Sequence, residues 1–216
     1  MTQPPGWLTD LARAAETMTV PAELRPPPGG GRRSAILILF GIPGPDLLLV
    51  QRSESLRRHA GQAAFPGGVI DPDDDGAVGA ALREAAEEAG VEPAGVQVVS
   101  VLPDLYIPRT GYQVSPVLGW WRDPVPVRPG DPAEVAQVAR VPVAELADPA
   151  NRLMVRYPHG GAGMAFRAGE MLVWGFTAFL IGQLLVLGGW ERPWDAEHVV
   201  ELPGGLPGVP VSPAVP

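Results

Sequence analysis

The stretch R83-E84-A85-A86-E87-E88-A89-G90-V91 places three glutamates on one short helical surface. Glu84 and Glu88 stand at i,i+4 and Glu84 and Glu87 at i,i+3, so the three carboxylates leave neighbouring points of one face. Like charges at these spacings destabilise a helix by roughly 0.2–0.5 kcal/mol per pair. Arg83, at i,i+4 from Glu87, relieves only part of that repulsion. A hard divalent cation is the natural counter-charge. Carboxylate oxygens suit Mg²⁺ or Mn²⁺, ions that keep several waters and bridge to substrate phosphates. A solvated acidic face is the plainer reading of the same string taken alone.

The flanking residues favour a site. Val78, Ala81, Leu82, Ala85 and Ala89 recur at helical spacing and form an apolar stripe on the opposite side, suited to docking on a core. Asp74 or Asp75 can cap the start of this helix, Gly90 suits its end, and Pro93 bars continuation. Upstream lies F65-P66-G67-G68, a turn whose backbone can approach a metal or a phosphate closely.

This loop and helix resemble the Nudix box, G-x5-E-x7-R-E-U-x-E-E-x-G-U with U apolar. Residues 83–91 match its second half throughout. Counting back from Arg83, the box glycine falls on Val69 and its first glutamate on Asp75, so the loop carries one extra residue after Gly68. A second run, from L48-L49-V50-Q51-R52-S53 through R57 and G61 to F65-P66-G67-G68, is similar to the signature of the coenzyme A branch, L-L-T-x-R-[SA]-x3-R-x3-G-x3-F-P-G-G. Only Val50, in place of threonine, departs from it.

The resemblance implies an α/β fold, the Nudix α/β/α sandwich with a mixed sheet and its catalytic loop-helix at residues 67–91. It further implies Mg²⁺- or Mn²⁺-dependent hydrolysis of the diphosphate of coenzyme A or its derivatives, giving 3′,5′-ADP and 4′-phosphopantetheine. Glu84 and Glu88, with help from Glu87, are the expected metal ligands. Glu87 or Glu134 is the candidate base, and Arg83 the residue that orients the glutamates. Arg52 and Arg57 occupy signature positions and, with Gly67 and Gly68, are the expected substrate contacts; arginine grips phosphate with a bidentate fork. Two other readings stay open. One is a Nudix enzyme for another nucleoside diphosphate compound, such as an NAD-type dinucleotide, an ADP-sugar or a capped RNA end. The other is a non-catalytic module that senses a nucleotide.

Composition bounds the rest. The 216 residues contain neither lysine nor cysteine, so phosphate must be met by arginine, backbone amides or metal, and thiolate chemistry is excluded. A net charge of −8 argues against bulk nucleic-acid binding. No basic-then-apolar signal segment opens the sequence, and a cytoplasmic location is the expectation. His59, His159 and His198 are too scattered for a metal triad.

Three segments are expected along the chain. Residues 1–33 read as an amphipathic helix (Trp7, Leu8, Leu11, Ala15) and a Pro/Gly linker, 34–202 as the hydrolase domain, and 203–216 as a disordered Pro/Gly-rich tail. Within the domain, 34–40 and 47–52 read as a hairpin, and 96–102, 113–121 and 135–141 as strands. The apolar run 172–187 reads as a long core helix. It is not expected to span a membrane, since Gln183 interrupts it and no Lys/Arg cluster flanks it. Tyr106, Tyr112 and Trp120 are candidates for stacking on a base or lining a channel, though strand aromatics more often belong to a core. The oligomeric state, a homodimer included, is open.

Overall fold

The computed structural model of the protein describes residues 3–42, 44–56, 60–157 and 160–202. Arg57, Arg58, His59, His159 and the segment 203–216 lie outside the described residues. Helix α1 (Gly6–Glu16) precedes strands β1 (Arg32–Gly41), β2 (Asp46–Arg52), β3 (Ala63–Ala64) and β4 (Gly67–Val69), then helix α2 (Gly76–Ala89). Strands β5 (Val96–Val101), β6 (Leu105–Ile107), β7 (Tyr112–Trp121) and β8 (Val135–Pro142) follow, with the short helix α3 (Val143–Leu146). The chain continues through β9 (Arg152–Arg156), β10 (Ala162–Ala168), β11 (Met171–Trp174), α4 (Gly175–Leu187) and β12 (Val199–Glu201).

The central sheet runs β3-β2-β1-β7-β5, with β4 on β1, β6 on β7 and β8 on β2. It is mixed: β1 and β7 are parallel, whereas β1 and β2 form the antiparallel hairpin in which Phe40 faces Leu47. Strands β1, β2 and β7 are apolar on both faces because both are covered. Leu37, Leu39, Leu48, Val50 and Val117 turn to α2 and meet Ala80, Ala81, Ala85 and Ala89. The alternate residues Ile38, Phe40, Leu47, Leu49 and Leu118 turn the other way, against Leu8 and Leu11 of α1 and Ala178 and Ile181 of α4. This two-residue alternation produces the α/β/α sandwich.

The remaining strands form a second sheet, ordered β11-β10-β9-β12, that packs beside α4. The apolar run expected to be helical from residue 172 is therefore split. Met171–Trp174 is the strand β11, and the helix begins at Gly175, whose φ of 66° turns the chain out of the sheet. A run apolar on every side carries no period to separate strand from helix. Helix α4 has 13 residues. At 1.5 Å per residue that is about 20 Å, short of the roughly 30 Å of a bilayer core. Among the described residues no helix is long and apolar enough to cross a membrane.

One further expectation changes. Asp75 stands at the start of α2 but makes no side-chain capping bond, and Asp74 is drawn instead to Arg83. Gly90 closes the helix as expected, left-handed at φ 71°. The apolar side of helix α1 packs on the domain: Leu8, Leu11, Ala12 and Ala15 are buried in the same cluster as residues of β1 and α4.

Candidate active site

Helix α2 presents Glu84 and Glu88 to the glycine loop, one turn apart. The Gly67 N–H donates to Glu88 Oε2 at 3.0 Å. A Cβ placed on Gly68 would fall on the Glu84 carboxylate, and one on Gly67 on the Ala35 carbonyl. Only glycine lets this strand, β4, lie so close to both β1 and the acidic helix. Glu88 is 7% exposed. Burial pushes its carboxyl up to about 7, against the Gly67 N–H and the Arg52 charge, while Glu84 and Glu134 raise it further. Burial likewise raises Glu84, opposed by Arg83.

Arg83 balances more charge than its spacing to Glu87 suggested. Its guanidinium meets Asp74 at 2.9 Å, Glu84 at 3.0 Å and Glu87 at 3.1 Å, with Asp71 at 3.7 Å. It also donates to the Val69 carbonyl, so one side chain binds helix, loop and acidic turn together. Asp71 and Asp74 reach Arg83 from ahead of the helix, beyond any i,i+4 count. Arg52, at the end of β2, lies 3.6 Å from Glu88 Oε1, and its Nε is buried without a hydrogen-bond partner among the described residues.

Glu134 is exposed, and its position follows from α2's last turn. The carbonyls of Glu88 and Ala89, which no later helical turn can satisfy, accept from Gly130 N–H and Arg128 N–H. A Cβ on Gly130 would collide with the Glu87 carbonyl, so the crossing requires glycine. The Glu134 carbonyl then accepts from Ser53 N–H at 2.8 Å. Glu134 thus stands near enough for its charge to act on Glu88. Glu87 is exposed, and among the described residues its ion pair is with Arg83.

A cavity of about 560 Å³ opens on the loop. Arg52, Gly67 and Gly68 line one side of it, and Tyr112, Tyr157, Trp174 and Phe176 another. Of the three strand aromatics, Tyr112 therefore reaches the cavity, whereas Trp120 is core and Tyr106 abuts Gly31. Tyr157 and Trp174 had no signal in the sequence, because the sheet that carries them had none.

Among the described residues no three carboxylates or histidines converge as a ready cage for a metal. The donors nonetheless fit a hard cation. Mg²⁺ is commonly held by only one or two carboxylates, its remaining positions going to water and substrate phosphate. Glu84 and Glu88 offer two such carboxylates, under-compensated by their surroundings and set against a loop with no side chains in the way.

Linkage makes this checkable. A carboxyl whose folded pKa lies above its unfolded value favours the folded state only while protonated, so metal-free stability falls as pH rises from about 4.5 to about 7. Glu88→Gln should therefore melt higher than the parent at pH 8 in chelator, the difference shrinking towards pH 5. A difference independent of pH would show that burial of the charge is not what costs stability.

The fold and this loop-helix define an α/β/α enzyme of diphosphate chemistry. A family profile for the NUDIX domain matches residues 30–158. The uncharacterized Nudix hydrolase NudL of Escherichia coli K12 is 41% identical over 157 residues, 71% of this chain and 81% of that protein. NudL of Shigella boydii is 40% identical over the same length. Among solved structures, the NUDIX domain of Shewanella oneidensis NrtR, complexed with ADP ribose, aligns at TM-score 0.49 and 19% identity, over 71% of this chain and 86% of that one. DR0079 of Deinococcus radiodurans aligns at TM-score 0.49 and 15% identity, over 77% and 89%. The chain belongs to the Nudix family: it is a pyrophosphohydrolase of nucleoside diphosphate derivatives.

Proposed function

We propose that the substrate is coenzyme A or one of its derivatives, cut at the diphosphate to 3′,5′-ADP and a 4′-phosphopantetheine. The observation that supports this most is Arg52. It is specified by the coenzyme A signature, it lines the cavity, and it lies beside Glu88, so signature and box meet at one point. The cavity lining is mostly apolar, with Ile36, Val114, Trp174 and Phe176 beside the charged Arg52 and Arg109, which suits an anionic substrate with a long uncharged arm.

In this reading Glu84 and Glu88, with Glu87 beside them, hold Mg²⁺ or Mn²⁺, which when bound polarises the diphosphate and acidifies a water. Arg83 keeps the glutamates in place by ion pairing. The Gly67 and Gly68 backbone lets the diphosphate approach the helix, and Arg52 turns from Glu88 towards phosphate charge. Glu134 or Glu87 takes the proton of the attacking water.

A screen over coenzyme A, acyl-coenzyme A, NADH and ADP-ribose with Mg²⁺ and Mn²⁺ tests the proposal; higher kcat/KM on NADH or ADP-ribose overturns it. Arg57, the other signature arginine, is assigned to the 3′-phosphate. Arg57→Ala should cost coenzyme A about ten- to a hundredfold in kcat/KM, the worth of a charge-assisted contact. Dephospho-coenzyme A should lose less. Equal losses would assign Arg57 to the diphosphate or the fold.

A further inference from the structure

The cavity has a wall that the family match does not contain. Trp174, Phe176 and Thr177 line it, and all three lie beyond residue 158, where the NUDIX match ends. They come from the end of β11 and the first turn of α4, and Tyr157 joins them from the end of β9. Strand β11 packs against β3, which brings the end of the second sheet to the cavity.

Each piece is held for this position. The Gly175 backbone lies close to the Tyr157 hydroxyl. A Cβ on Gly163, one strand over, would fall on that hydroxyl, so glycine leaves the ring its place. The Tyr157 and Trp174 rings stand 5.9 Å apart, tilted at 46°. Tilted rings form a trough, which accepts a chain, whereas a purine stacks best on flat, parallel faces. The Trp174 Nε1–H is buried and, among the described residues, has no hydrogen-bond partner. Such a donor costs free energy until an acceptor meets it.

We propose that Tyr157, Trp174 and Phe176 form the subsite for the substrate's non-nucleotide arm, with the indole N–H of Trp174 donating to an amide carbonyl of that arm. The nucleotide and diphosphate then lie on the Arg52 and glycine-loop side. This wall, whose Trp174 and Phe176 lie outside the family match, selects among diphosphate compounds by what is attached to the far phosphate. This rests on the coenzyme A reading, whose arm carries two amides.

Two substrates separate the parts: coenzyme A, and the methyl ester of 3′-phosphoadenosine diphosphate, which keeps nucleotide and diphosphate but has no arm. The wild-type enzyme should prefer coenzyme A. Trp174→Phe keeps a ring and loses the donor. It should lower kcat/KM for coenzyme A about three- to tenfold, the worth of one neutral hydrogen bond, and leave the methyl ester unchanged. Trp174→Ala should widen the gap, and if it fails to fold the Phe variant decides alone. Equal losses on both substrates, no loss on coenzyme A, or no wild-type preference overturns the subsite. A wild-type enzyme that cleaves NADH or ADP-ribose and neither of these two defeats the coenzyme A reading itself, and the subsite with it.

Discussion

Glu84→Gln and Glu88→Gln are each expected to lower turnover at least about a hundredfold with the fold intact, because charge is removed where transition-state charge must be balanced. The amide of glutamine keeps the shape and one acceptor oxygen. The Gly67 N–H can therefore still be met at position 88, and the Arg83 guanidinium at position 84. What is lost is the formal charge, on two carboxylates whose own folding environment disfavours it. A helix that buries acid without full compensation is poorly explained by stability. The measurement is steady-state hydrolysis across a Mg²⁺ series, with thermal melting as the check on folding. Near-normal rates in both variants at modest Mg²⁺ would remove the metal-site reading. Glu87→Gln and Glu134→Gln separate ligand from base: loss of the base removes the acidic limb of the kcat/KM profile, whereas loss of a ligand shifts the metal dependence.

Cutting the chain ahead of Trp190 should be the most damaging structural change. Trp190 packs edge-on against Trp7 at 5.5 Å and lies 6.1 Å from Phe40. The same cut removes β12 from the second sheet, and with it the cover over Arg152. That guanidinium side chain is 1% exposed, pairs with Glu191 at 2.7 Å and lies 4.6 Å over the Trp194 ring. Losing a large core aromatic alone costs about 3–5 kcal/mol, and a melting point falls about 2–4 °C per kcal/mol in a chain of this size. A drop on the order of 10 °C is therefore expected, with loss of hydrolysis. A second cut, ahead of Pro203, spares Leu202 and should change little, since the tail's Pro/Gly alternation offers no period to bury. If that milder cut abolishes coenzyme A hydrolysis with melting unchanged, the tail belongs to the substrate channel. Equal melting of the first truncation and the parent would deny Trp190 and Arg152 their role.

The sequence disclosed those parts whose physics is local. The stripe on α2, the left-handed Gly90, the hairpin and the long strands β5, β7 and β8 all carry a period or a turn residue that acts within a few positions. Arg83 shows where local reading stops. Its spacing to Glu87 was visible, but its pairing with Asp74 depends on how the preceding turn folds back, and that diverted the expected cap. The second sheet was invisible for a different reason. A162-G163-M164-A165-F166-R167-A168 mixes small, apolar and charged residues without alternation, since β10 is covered partly by α4 and partly by neighbouring strands. Trp174 was read as part of a helix because an apolar run buried on every side looks the same in either conformation. A cavity wall was thereby taken for core.

The cluster of Trp7, Phe40 and Trp190 also bears on how the protein is made. Phe40 and Ile38 on β1 face a cluster to which both α1 and α4 contribute. During vectorial synthesis, at roughly 5–20 residues per second, the β1–β2 hairpin leaves the ribosome many seconds before Trp190 does. Until then one face of the central sheet has half its cover. Folding of this face waits for α4 and Trp190 to emerge, and the nascent chain must be kept from associating through it in the interval. A ribosome stalled with about 150 residues emerged should hold a hairpin and box helix that bind a hydrophobic dye, and release should extinguish that signal.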